Sequence, residues 1–300
     1  MLRSGVFLMA NVQTIGWLAK KSGPRFVFGN DGTWSSNVEA RAHLRRLRKV
    51  SPVAPAIPWG AQAGRTLRER GWLPMADFQP EIMDPILAGY QRVIDDPSLT
   101  RDMGARDRSA VRYVVDPVAR NPGLRLLLDD RVREALTGYY GTHFRLLHVR
   151  MWRIASLPDD ERLEYNYGNL WHTDGHRVTV MKLFVQISDG VSAENGALRL
   201  LDIPTTRLAM RGGYLARNKQ VGLARRLVED PSRTVFFDGA SGSAILMNPN
   251  LCLHRAGVPQ PGRTRGMVQL TFDVADQPPP GGDYFAELAP DINVIEGRPV

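Results

Sequence analysis

The stretch NLWHTDGHRVTVMKLFVQI, residues 169–187, contains two histidines and an aspartate within five positions and continues directly into an apolar, β-branched run. Imidazole and carboxylate side chains are common protein ligands of divalent metal ions. The run that follows them favours a β-strand. The stretch therefore raises the question of whether His172, Asp174 and His176 hold a metal ion, and which of them do so.

His172 and His176 are four residues apart, as in helical zinc sites, but the sequence around them opposes a helix. Gly175 interrupts the segment, β-branched residues follow, and no glutamate follows the first histidine. On a strand, alternate side chains share a face, so His172 and Asp174 converge, with Cα atoms about 7 Å apart. His176 lies about 13 Å from His172 on that face, too far for a three-ligand site with right-angled geometry. We therefore expect His176 to lie near the metal ligands, to face the substrate, or to be structural.

From Gly141 onward the sequence consists of short apolar or alternating segments, separated by turns that contain Gly and Pro. This pattern is typical of antiparallel β structure. Upstream, apolar residues at helical spacing predict helices near residues 36–49, over 82–93 and over 116–138. Many short strands after a helical entry predict a mainly β protein with flanking helices, a double-sheet jelly roll of the cupin-like kind.

Composition divides the chain into three parts. Residues 1–63 contain an arm, a basic helical stretch and a Pro- and Gly-rich segment, and we interpret them as an N-terminal extension and linker. Residues 64–276 form the predicted β domain, and residues 277–300 form a C-terminal tail. Within the domain, the polar segment 205–230 is predicted to be a long, partly helical insert of the kind that often covers a site.

A third metal ligand must come from another strand, and His254 is the strongest candidate. Of the other histidines, His43 lies in the basic helix, and His143 and His148 lie on the first predicted strand. His254 lies late in the β region, at a predicted strand end. Cys252 shares its face, but a free cysteine is most often a small buried apolar residue.

Two arginines follow His254 across a Pro/Gly turn. Arg265 lies eleven residues beyond His254, and Arg263 lies two residues before Arg265, so both point to one face of the next predicted strand. A guanidinium at this position is suited to a bidentate pair with a carboxylate. The residues alone do not decide between the two arginines.

The order His172-Thr-Asp174, then His254, then Arg265 eleven residues later resembles the His-X-Asp…His…Arg pattern of the phytanoyl-CoA dioxygenase family. LRERGWLPMADFQPEIMDPILAGYQ resembles the family's N-terminal strand and helix, and AENGALRLLDIP resembles the turn and strand after its first two ligands. The resemblance covers roughly residues 64–276. It implies a double-stranded β-helix, the fold of these Fe(II)- and 2-oxoglutarate-dependent oxygenases.

The resemblance also implies roles for individual residues. His172, Asp174 and His254 would bind Fe(II) and leave positions for 2-oxoglutarate and O₂. By the family spacing, Arg265 would bind the distal carboxylate of 2-oxoglutarate, with Arg263 as the alternative. The expected reaction hydroxylates a C–H bond of a small organic substrate and releases succinate and CO₂. Asp174 favours hydroxylation, because related halogenases have a small residue at that position.

Other roles are left open by the sequence. His176, Trp171 and Tyr167 are candidates for the substrate site, although core packing explains the two aromatic residues equally well. The alternative function is a cupin-like protein that binds or senses a metal without oxygenase turnover. A small secondary metabolite, a lipid or a saccharide is at least as compatible with the sequence as an acyl-CoA.

Composition excludes several classes of protein. The chain has 300 residues, of which 43% are hydrophobic and 23% charged, as in ordinary globular proteins. No apolar run approaches the length of a membrane span, and the single Cys252 excludes an intrachain disulfide and fits a reducing compartment, so we expect a cytoplasmic protein. The net charge of +8 suits an anionic substrate, but no basic block is interleaved with aromatic residues, which argues against nucleic-acid binding.

Overall fold

The computed structural model of the chain describes the following residues: 34–103, 111–156, 170–175, 177–216 and 219–288. The predicted arm at the N-terminus, Tyr167 and His176 lie outside these stretches. None of the described helices has the length and the apolar character that a membrane crossing requires.

The described residues form helices and strands with these bounds. The α-helices are α1 (Trp34–Val50), α2 (Pro58–Arg70), α3 (Pro80–Val93), α4 (Pro117–Arg120), α5 (Asp130–Tyr140), α6 (Ile203–Arg211) and α7 (Gly222–Glu229). The strands are β1 (Trp72–Met75), β2 (Thr100–Met103), β3 (Val111–Val114), β4 (Phe144–Ala155), β5 (Met181–Gln186), β6 (Leu198–Leu200), β7 (Tyr214–Ala216), β8 (Lys219–Gln220), β9 (Val235–Phe237), β10 (Ala244–Met247), β11 (His254–Arg255) and β12 (Thr264–Val274). Short 3₁₀ helices cover Pro122–Leu127 and Pro280–Gly282.

Antiparallel strands build two facing sheets. The major sheet has seven strands in the order β1-β10-β5-β12-β4-β3-β2, and the minor sheet has three strands in the order β11-β6-β9. β12 lies at the centre of the major sheet, where eleven of its residues pair with β4 and six with β5. Two sheets with flanking helices confirm the predicted jelly-roll architecture.

Side chains alternate between the two faces of the major sheet. On β12, Met267 points inward and joins an apolar cluster with Trp152 of β4 and Leu198 of the minor sheet. The next residue, Val268, points outward into a larger core that also contains buried residues of α2, α3 and α5. The interior between the sheets is therefore separate from the helix-covered core. Side chains at the inward positions of β5 and β12 point into this interior, where they can form a functional site.

Helices α2 and α5 pack closely through glycines. A Cβ on Gly64 would lie 2.1 Å from the backbone of Gly138, and a Cβ on Gly138 would lie 1.9 Å from the carbonyl oxygen of Gly60. Ala63 is buried in the same contact. Helix α2 thus runs through the boundary predicted after residue 63, and it has packed residues on both sides of that boundary. The division of the chain into extension, domain and tail stays a prediction.

The single helix predicted over residues 116–138 is wrong. This segment consists of α4, a 3₁₀ helix and α5. The sequence Asn-Pro-Gly at 121–123 breaks the helical pattern, because proline lacks an amide hydrogen and restricts the residue before it. The buried side chain of Asn121 donates to the carbonyl oxygen of Ile86 at 2.8 Å, so the break is fixed against α3.

Candidate metal centre

His172 and His254 are held together by two backbone hydrogen bonds. The amide of each residue donates to the carbonyl oxygen of the other at 2.9 Å, which forms an isolated antiparallel bridge. The centroids of the two imidazole rings are 4.4 Å apart. The backbone therefore fixes both rings on one face of the extended minor sheet.

Asp174 reaches the histidines from a turn and not from a strand. Its amide donates to the carbonyl oxygen of Pro249 at 3.0 Å, and Gly175 follows with a positive φ of 65°. The side chain of Asn248 donates to the carbonyl oxygen of Val178 at 2.7 Å and ties the same two loops together. The continuous strand expected from His172 onward is wrong: β5 begins only at Met181, because the glycine turn separates it from the ligand segment.

The ligand atoms of the three residues converge on one point. Oδ1 of Asp174 lies 3.4 Å from Nε2 of His172 and 3.3 Å from Nε2 of His254. All three ligand atoms lie within 4.8 Å of one another, and both imidazoles are buried. Two imidazole nitrogens and one carboxylate oxygen at these distances fit the donor set that holds a non-heme iron.

The second nitrogen of each imidazole fixes its tautomer. Nδ1 of His172 lies 2.6 Å from the carbonyl oxygen of Leu170, and Nδ1 of His254 lies 3.0 Å from that of Cys252. A carbonyl oxygen only accepts, so in the neutral form of each ring Nδ1 carries the hydrogen and Nε2, the nitrogen nearer to Asp174, has the lone pair. Both rings are therefore oriented as metal ligands by the backbone.

Charges around the site favour the protonation states that a metal needs. Burial lowers the pKa of His172, and the neighbouring His254 acts in the same direction, so the imidazole is neutral near pH 7. Burial alone would raise the pKa of Asp174, but the ammonium of Lys182 and the imidazole of His254 hold it well below its usual value. A neutral imidazole and an ionised carboxylate are the metal-binding forms of His172 and Asp174.

Lys182 is a member of this site that the sequence reasoning missed. It lies on β5, is 5% exposed, and its Nζ donates to Oδ2 of Asp174 at 2.5 Å. One carboxylate oxygen is thus taken by the ammonium, while the other faces the histidines. The sequence feature that could have revealed Lys182 is its position as a single lysine inside the apolar run VTVMKLFVQI. Because an unpaired lysine is rarely buried, a lysine there indicates a buried partner of opposite charge.

Of the two candidate arginines, the structure turns Arg265 inward. Its side chain is 1% exposed, Nη1 donates to the carbonyl oxygen of Gly196, and Nε has no hydrogen-bond partner. Burial lowers the pKa of this guanidinium to about 10. Arg263 is exposed, because β12 begins only at Thr264 and Arg263 lies in the turn before it.

The remaining candidates lie in different places. Trp171 packs in a buried cluster with Leu201 and Leu253 against the α6–α7 insert, as the core-packing alternative expects. Cys252 is buried with its Sγ 3.6 Å from the carbonyl oxygen of Arg70, and burial raises the pKa of its thiol. Cys252 is not part of the converging ligand atoms of the described residues.

Solved structures of other proteins share this architecture. EctD from S. alaskensis with bound Fe aligns with a TM-score of 0.53 at 17% identity, over 74% of this chain and 78% of that chain. EctD from S. alaskensis with 2-oxoglutarate and 5-hydroxyectoine aligns with a TM-score of 0.51 at 18% identity, over 82% and 86%. The epimerase SnoN in complex with Fe³⁺, alpha ketoglutarate and nogalamycin RO aligns with a TM-score of 0.50 at 15% identity, over 83% and 96%. The chain shares their fold. Its sequence matches no family model and no curated protein.

The first prediction concerns which residues bind the metal. His172→Ala, Asp174→Ala and His254→Ala should each abolish the binding of about one metal ion per chain, because each removes one of three ligands. His176→Ala should leave the stoichiometry intact. Anaerobic titration with Fe(II), followed by metal analysis of the desalted protein, measures this directly. Equal loss of metal in the His176 variant would mean that the ligand set is wrong.

The second prediction concerns Lys182 and pH. In Lys182→Met the pKa of Asp174 rises, because the ammonium that holds it down is gone, so a proton competes with the metal at a higher pH than in the wild type. Above pH 7 the variant should bind the metal at least as tightly, since the repulsion between ammonium and metal is removed. Calorimetry from pH 5 to pH 8 measures the metal affinity and tests both expectations: weaker binding than the wild type at low pH, and equal or tighter binding above pH 7.

Lys219→Met is the matched control, because it removes the same charge from an exposed position. This variant should follow the wild-type pH profile. If Lys182→Met instead binds metal more weakly at every pH with an unchanged profile, Lys182 serves only the packing of β5.

Proposed function

We propose that the protein is an Fe(II)- and 2-oxoglutarate-dependent oxygenase, similar to the phytanoyl-CoA dioxygenase family, that hydroxylates a C–H bond of a small organic substrate. One observation carries this proposal. The interior between the two sheets contains both a two-histidine, one-carboxylate ligand set and a buried arginine that forms no ion pair with any described carboxylate. A metal-binding protein without cosubstrate would have no need of the arginine.

The metal would be held by Nε2 of His172, Nε2 of His254 and Oδ1 of Asp174. When bound, Fe(II) supplies the redox chemistry by which O₂ oxidises 2-oxoglutarate to succinate and CO₂ and the substrate is hydroxylated. The protein keeps the ligands in register through the backbone bridge and through the carbonyl oxygens that accept from both Nδ1 atoms. Lys182 donates to Oδ2 of Asp174, so Oδ1 is the carboxylate oxygen that would hold the metal.

Arg265 is suited to hold the distal carboxylate of 2-oxoglutarate. It points into the interior from the start of β12, on the same face as Gln269 and Thr271. Its fork offers five N–H groups, of which the carbonyl oxygen of Gly196 accepts from one nitrogen. Because the guanidinium is desolvated, a carboxylate brought beside it would be bound more strongly than at an exposed arginine. An anionic ligand would also offset the cost of burying this charge.

The solved structures that share this fold support the proposed use of iron and 2-oxoglutarate. EctD has been crystallised with iron and with 2-oxoglutarate, and SnoN with Fe³⁺ and alpha ketoglutarate. SnoN is an epimerase, so one fold and one cofactor set serve different outcomes. Hydroxylation is proposed here because Asp174 fills the position that halogenases leave open, and because of the sequence resemblance. His176 and Tyr167 stay predicted neighbours of the substrate.

The third prediction separates the two arginines and tests the function at the same time. Arg265→Ala should raise the 2-oxoglutarate concentration needed for half-maximal turnover by roughly ten- to a hundred-fold, since a charge-assisted pair contributes about 1.5–3 kcal/mol. Arg265→Lys should recover only part of this loss, because lysine lacks the planar fork. Arg263→Ala is the matched control and should change the requirement little. Succinate formation against 2-oxoglutarate concentration, with and without Fe(II), is the measurement.

Two outcomes would speak against the proposal. A large effect of Arg263→Ala with none of Arg265→Ala would place the cosubstrate at the exposed arginine. No succinate from the wild type, despite stoichiometric Fe(II), across a panel of small organic substrates would favour the cupin-like metal-binding alternative.

A further inference from the structure

A row of four residues crosses the outer face of the minor sheet. Arg199 of β6 pairs in register with Phe236 of β9 on one side and with Arg255 of β11 on the other. The bridge between His172 and His254 places Trp171 beside Arg255. Since alternate side chains point to opposite faces, these four side chains point away from the metal ligands. The order is aromatic ring, guanidinium, guanidinium, aromatic ring.

Each guanidinium of this row is held by the aromatic ring next to it. The guanidinium carbon of Arg199 lies 4.9 Å from the ring centroid of Phe236, and that of Arg255 lies 5.8 Å from the ring centroid of Trp171. Trp171 is itself fixed, because it is buried in the cluster under the α6–α7 insert and its carbonyl oxygen accepts from Tyr214 at 3.0 Å. Cation–π contacts of this kind orient an arginine without using its N–H groups.

The two arginines lie opposite each other on neighbouring strands, without a counter-charge among the described residues. Nε of each is buried and has no hydrogen-bond partner, and no ion pair with a described acidic side chain involves either residue. Burial lowers the pKa of both guanidinium groups, and Arg199 lowers that of Arg255 further. Like charges directly opposite on neighbouring strands destabilise a sheet. The fold therefore keeps two oriented guanidinium groups on neighbouring strands despite the repulsion between their charges. The Nε atoms of both lack a hydrogen-bond partner.

We propose that Arg199 and Arg255 form a binding site for a phosphate-type anion on the outer face of the minor sheet, separate from the metal centre. Two planar forks side by side supply more N–H donors than one carboxylate accepts, whereas a phosphate offers three or more acceptor oxygens and up to two negative charges. The anion would neutralise the repulsion between the two guanidinium groups. The sheet separates this site from the interior, so its ligand does not contact the proposed metal.

The phosphate comes either from a free phosphate ion or from a phosphate group on a larger molecule. The half-buried ring of Phe236 lies beside Arg199 and offers apolar contact to an organic substituent. Phenyl phosphate should therefore bind more tightly than inorganic phosphate if the natural ligand is a phosphate ester, and equally or more weakly if it is the free ion. Acetate, with one carboxylate, should bind at least ten-fold more weakly than either.

Calorimetric titration of the full-length, metal-free protein tests the site without relying on the proposed function. Inorganic phosphate, phenyl phosphate and acetate are the probes. Arg199→Gln and Arg255→Gln should each weaken phosphate binding at least ten-fold, and the double variant should abolish it. Arg225→Gln is the matched control, because this exposed arginine is paired with Glu229 and should leave binding unchanged. Circular dichroism establishes that each variant is folded.

If the glutamine variants do not fold, Arg199→Lys and Arg255→Lys keep the charges and remove the forks, and they should weaken phosphate binding several-fold. Phosphate binding that survives in the folded double variant, or that changes equally in the Arg225 control, would overturn the proposal. The absence of binding to the wild type at millimolar phosphate would overturn it as well.

Discussion

The backbone bridge between His172 and His254 is the constraint on which the rest of the site depends. It joins two segments that are about 80 residues apart in the chain, and it sets the separation of the two imidazoles before any side-chain contact is made. Asp174 is then brought in by a single turn, held by the carbonyl oxygen of Pro249 and the loop contacts of Asn248. Because the main chain positions these side chains, little ordering entropy would be lost when an ion binds.

The charged side chains between the two sheets depend on the same arrangement. A buried carboxylate needs a counter-charge, and Lys182 supplies it from β5. Arg265 is a second buried cation, with no such partner among the described residues, and the proposed 2-oxoglutarate would supply the missing negative charge. On the reverse of the minor sheet, Arg199 and Arg255 also lack a counter-charge among the described residues, and Arg255 directly follows His254 in the sequence. In both places the fold leaves a positive charge for a ligand to neutralise.

The fold and the clustering of His172, Asp174 and His254 were predictable from the sequence, but several features were not. Alternating apolar segments and Gly/Pro turns indicated the paired sheets, and residue spacing selected His172, Asp174 and His254, which the structure brings together. Alternation alone put Arg263 and Arg265 on one face, and only the observed start of β12 at Thr264 separates them. Lys182 was missed because its role comes from its ion pair with Asp174, which lies in a turn outside the strand of Lys182. The helix predicted over 116–138 was wrong because its apolar spacing was given more weight than the Asn-Pro-Gly break near its start.

The most direct test of the central claim is an anaerobic titration of the protein with Fe(II) in the presence of 2-oxoglutarate, followed by visible absorption. When 2-oxoglutarate chelates an iron that is held by only three protein ligands, a weak charge-transfer band results. We expect this band to saturate at about one Fe(II) per chain. The band should be lost in Asp174→Ala and should require more 2-oxoglutarate in Arg265→Ala. A protein that binds only Zn(II), in a tetrahedral site with four protein ligands and without any such band, would contradict the account.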